Sequence, residues 1–68
     1  MNMKGAMVEV VKMSQEDGRL CYLYNHHGDY EASFIFWPDW LFKAWPGGRK
    51  QLSLDGTRLL QGEQNDTR

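Results

Sequence analysis

Cys21, His26, His27 and Asp29 bring a thiol, two imidazoles and a carboxylate into one short stretch. These are the groups from which a zinc site or a thiol nucleophile is built. Their spacing works against a shared site. Alternation along a strand turns Cys21 toward the core side, several residues from the turn, and the adjacent histidines diverge. The chain has no second cysteine. No metal, cofactor or catalytic residue is therefore expected. A metal- or thiol-dependent site on the 21–29 hairpin stands as an alternative.

The densest chemistry is aromatic. Phe34, Phe36, Trp37, Trp40, Phe42 and Trp45 crowd one stretch of the chain. Read as a helix, residues 38–45 spread apolar side chains over an arc wider than one core contact requires. Something must cover the surplus. Trp37, Trp40, Phe42 and Trp45 are accordingly the candidate partner-binding residues, because large rings bury much area with few rotors. The competing reading is that strands of the same subunit enclose them. A second aromatic set, Tyr22 and Tyr24, would stand on the outer face of a sheet, where rings can stack on unpaired bases. Arg49 and Lys50 would then serve phosphates. Glu9, Glu16, Asp29 and Glu31 lie nearby and would repel them.

Composition sets the bounds. The 68 residues carry a formal net charge of −1 and make one domain at most. That charge argues against a dominant attraction to nucleic acid or anionic lipid. No apolar run reaches the length of a membrane span, and the N-terminus lacks the apolar stretch of a secretory signal. With a single cysteine no internal disulfide can form, so a reducing cytoplasm is the expected location. Met7 offers a second initiation point, which would make residues 1–6 dispensable.

The elements that must position these groups are read from punctuation and periodicity. Turn signals fall at Asp17-Gly18, His27-Gly28-Asp29, Pro46-Gly47-Gly48 and Asp55-Gly56. Residues 6–13, with Val8, Val10 and Val11, are expected as a first strand. Residues 19–25 and 30–37 are expected as a hairpin that pairs Asn25 with Tyr30 and His26 with Asp29. It would place Cys21, Leu23, Ala32, Phe34 and Phe36 on the core face. Leu20, Tyr22, Tyr24, Glu31, Ser33 and Ile35 would share the other. Pro38 suits the first turn of a short helix ending at Pro46. A last hairpin turns at Asp55-Gly56, with Leu52, Leu54, Thr57 and Leu59 on one face.

The expected fold is mainly β, a small α+β domain. It has an antiparallel five-stranded sheet or an SH3-like small barrel, with one short helix between strands 3 and 4. It covers residues 1–61, with 62–68 as a flexible polar tail. The expected function is a non-catalytic protein-interaction or regulatory module, as a homodimer or a small subunit. A single-stranded nucleic-acid-binding barrel is the alternative.

Overall fold

A computed structural model describes residues 2–65 of the chain. The element order is α1 Met3–Asp17, β1 Cys21–His26, β2 Asp29–Ser33, β3 Phe42–Ala44, β4 Lys50–Leu52 and α2 Leu54–Asn65. The four strands form one antiparallel sheet in the order β2-β1-β3-β4. Helix α1 packs across β1, β2 and β3, and α2 packs against α1 and β4. The fold is therefore α+β with four strands and two helices. The fifth strand, the SH3-like barrel and the helix between strands 3 and 4 are all corrected.

Residues 6–13 are helical, not extended. Met3, Ala6, Val10 and Ser14 are buried and recur at helical spacing, while Lys4, Glu9, Lys12 and Glu16 face solvent. The Asn2 side chain caps the helix by accepting the Gly5 N–H at 2.8 Å. Gly18 ends it in the left-handed region at φ 66°, donating its N–H to the Ser14 carbonyl at 2.9 Å. Each valine costs at most about 0.7 kcal/mol of helix propensity, whereas burying one stabilises by roughly 1.5–3 kcal/mol. Packing wins over propensity. Met3 and Ala6 belong to the core, so a chain starting at Met7 would lack two core side chains.

The β1–β2 hairpin forms with the expected register, Asn25 opposite Tyr30 and His26 opposite Asp29. His27 and Gly28 both take positive φ, 55° and 86°, and the Asn25 side chain accepts the Gly28 N–H at 3.2 Å. Cys21 and Leu23 face the helices within the core, with Ala32 and Phe34 packed on them. Phe36 departs from the expected face. β2 ends at Ser33, alternation stops there, and the Phe36 ring meets Tyr22 edge-on at 5.6 Å, on the sheet face away from the helices.

Residues 38–45 make no helix. A turn closes from the Trp37 carbonyl to the Trp40 N–H at 3.3 Å, and Leu41 N–H bonds to the Leu23 carbonyl at 2.8 Å. Phe42–Ala44 then pair with β1 as β3. Pro46-Gly47-Gly48 joins β3 to β4.

The last hairpin is replaced by a strand and a helix. Ser53 caps α2: its hydroxyl accepts the Gly56 N–H at 2.9 Å and donates to the Leu41 carbonyl at 3.1 Å. Asp55 sits in the first turn, where the helix dipole favours a carboxylate. Gly56 is buried against the Leu41 carbonyl, and a Cβ there would overlap it. Close approach, not a positive-φ turn, is what this glycine serves. α2 runs through Asn65, so residues 62–65 of the expected tail are helical. Residues 66–68 of that tail lie outside the described residues.

Candidate interaction surface

The two sheet faces differ in what covers them. Helices cover the face holding Cys21, Leu23, Phe42 and Ala44. The opposite face carries Tyr22, Tyr24 and His26 from β1, Glu31 and Ser33 from β2, and Lys43 from β3, since cross-strand partners share a face. Among the described residues it is the segment between β2 and β3 that folds back over β1 on this side.

Tyr24 anchors that segment. It is 0% exposed. Its hydroxyl donates to the Ile35 carbonyl at 2.7 Å and accepts the Trp37 N–H at 2.7 Å. Burial raises the Tyr24 phenol above its ordinary value, against the opposing effect of its hydrogen bond to Trp37. The Trp37 ring meets Tyr24 edge-on at 5.0 Å and His26 edge-on at 6.0 Å, and His26 stacks on Tyr24 at 5.8 Å. The backbone at 35–37 is thus held over β1, and the Phe36 and Trp37 rings rest on Tyr22 and Tyr24 with their other sides in solvent. Ile35 is 60% exposed, Phe36 57% and Trp37 41%.

Beside this run lies a ladder of rings and cations. The Lys43 ammonium stands 4.3 Å from the Trp40 ring centre and 5.3 Å from that of Trp45. The Arg49 guanidinium lies over the far part of the ladder, 4.6 Å from the Trp45 ring centre. Ring faces attract cations electrostatically, so the four side chains order one another. Both indoles are half-buried.

Among the expected partner-binding residues the structure brings Trp37, Trp40 and Trp45 to this face. It places Phe42 in the core at 2% exposed, opposite Leu23 and Leu52. Ile35, Phe36 and Lys43 join the surface. Phe36 was legible as an aromatic but assigned to the core, and Ile35 carried no signal beyond its outer-face alternation.

The residues named for nucleic acid do not gather. Tyr22 and Tyr24 are buried beneath Phe36 and Trp37. Arg49 stacks on Trp45, and Lys50 lies on the other side of the sheet, beside α1.

Around the 21–29 hairpin, Cys21 faces the helices and His26 the opposite side. The Cys21 thiol lies 3.6 Å from the Ser33 carbonyl, and burial pushes it above its ordinary value. His26 Nδ1 stands 3.4 Å from a Glu31 carboxylate oxygen. Among the described residues no three His, Cys, Asp or Glu side chains are grouped to hold a metal ion. Nor is any helix among them long and apolar enough to cross a membrane. The chain shows no significant match to any protein-family model, curated protein or solved structure.

Proposed function

We infer that the protein is a non-catalytic interaction module that docks a protein partner on its aromatic sheet face. One observation carries this reading: Ile35, Phe36 and Trp37 are displayed to solvent on a backbone that the buried Tyr24 hydroxyl pins in place. A surface ordered before contact loses little entropy on binding, so more of its burial appears as affinity. Exposed aromatics beside ordered cations have the composition of interface hot spots. Trp37 and Phe36 supply the apolar anchors. Lys43 and Arg49 meet carboxylates at the rim, and their place over Trp40 and Trp45 fixes their reach. The partner is either another protein or a second copy, as a homodimer would be. A buried, reduced thiol fits a cytoplasmic setting.

The test pairs association with folding. Phe36→Ser and Trp37→Ser together should weaken complex formation at least about tenfold, close to 1.4 kcal/mol. Light scattering would read self-association and calorimetry would read a purified partner, with the far-ultraviolet dichroism unchanged. By contrast Phe42→Ala should unfold or strongly destabilise the domain, by about 3–5 kcal/mol. Association that survives the double serine variant defeats the proposal. So does a chain that stays monomeric, captures no protein and binds oligonucleotides with a steep salt dependence.

A further inference from the structure

A second surface lies on the other side of the molecule. Helix α1, the start of β4 and Leu60 of α2 border an open groove of about 630 Å³. Its floor and walls are apolar: Met7, Val8 and Val11 from α1, Phe42 from β3 and Leu60. Val8 is 68% exposed, so the groove opens to solvent along the helix. Among the described residues that line it the charges are of one sign: Lys4, Lys12 and Lys50, together with Gln15. In a chain of net charge −1 this is a local concentration of positive charge.

We propose that this groove receives an acidic amphipathic helix from a partner protein. The placement of the lysines selects that occupant. Lys4 and Lys12 stand eight positions apart on one helix, which separates them by about 12 Å along its axis. Lys50 faces them from β4. A fatty acid offers one carboxylate and would leave two of the three cations unanswered. A partner helix with acidic residues about two turns apart answers both ends while its apolar stripe fills the floor between them. A second copy docked by two-fold symmetry would bring the same lysines against one another, which costs affinity. Nucleic acid would lay phosphates across an apolar floor. The aromatic face plays no part here, so either surface can fail without the other.

A displayed library of helices of about 16 residues, long enough to hold helical structure, tests the idea on the full chain. Apolar positions at i, i+3, i+4 and i+7 are fixed and the flanking positions randomised. Enriched sequences should carry Asp or Glu about two turns apart. Their synthetic peptides should bind, by fluorescence anisotropy, at least about tenfold more weakly to Val8→Glu and to Lys4→Glu/Lys12→Glu. Trp37→Ser should leave that binding unchanged. Val8, Lys4 and Lys12 are exposed, so these variants should keep their fold, as dichroism would verify. Enrichment without acidic positions overturns the proposal, as does binding indifferent to Val8→Glu. Oleate binding to a chain that enriches no peptide overturns it in favour of an acyl ligand.

Discussion

The Tyr24 hydroxyl does two things at once: it satisfies two backbone groups, and it fixes the segment that carries Trp37. Tyr24→Phe keeps the ring and its contacts with Trp37 and His26. It leaves the Ile35 carbonyl and the Trp37 N–H to find water or remain unpaired, which costs about 1–3 kcal/mol. The loss should appear as a lower urea midpoint with an unchanged slope. Hydrogen exchange at Trp37 should accelerate more than exchange within β1. If partner binding depends on the ordered backbone, affinity should fall although no contacting side chain has changed. Equal exchange rates in both proteins would show that ring packing alone holds the segment. Little of this was legible beforehand. Alternation put Tyr24 on the outer face correctly, but exposure depends on what folds over that face. The covering chain comes from residues 34–40, after alternation has ended.

At the scale of elements, the legible parts were those whose signals are local. The β1–β2 hairpin followed from a tight turn and short-range alternation, and its register came out as expected. The helices were hidden by residues that serve two structures. Val8, Val10 and Val11 favour strands, yet the buried set Met3, Ala6, Val10 and Ser14 repeats with helical spacing. Asp55-Gly56 is a good hairpin dipeptide, yet Ser53 stands where a cap belongs and the Asp falls in the first turn. The three-residue strand holding Phe42 is too short to show alternation, so a core ring between two surface indoles read as surface. α1 also carries a prediction. Deleting residues 1–6 removes the Asn2 cap together with Met3 and Ala6. A buried Met alone accounts for about 2–5 kcal/mol when truncated, a large share of what so small a domain has. The shortened chain should lose its cooperative thermal transition in a calorimeter. A protein that starts at Met7 and melts like the full chain would place the core elsewhere.

Over the whole molecule, one sheet separates two unlike surfaces, rings and cations on one side and a lysine-rimmed apolar groove on the other. The same sheet buries two acids in their neutral form, Cys21 and Tyr24, each raised above its ordinary value chiefly by burial. Their effect on stability has a definite sign. Above those ordinary values, near 9.0 and 10.0, the unfolded chain has released protons that the folded chain still holds. Unfolding then releases protons, so raising the pH favours it. The stabilisation is complete below the unfolded values and is lost as pH climbs through the alkaline range. Urea titrations at neutral pH and at about pH 10 should show that loss. The slope should be shallower in a Cys21→Ala/Tyr24→Phe variant. Identical slopes would mean that neither group is shielded in the folded chain.

Because the chain has a single sulfhydryl and the fold encloses it completely, the molecule contains its own clock. A thiol reagent in solution can react only during excursions that open the fold around Cys21, so the labelling rate counts those excursions. Filling either surface with a ligand slows the count if the two layers stabilise each other. It leaves the count untouched if they open separately.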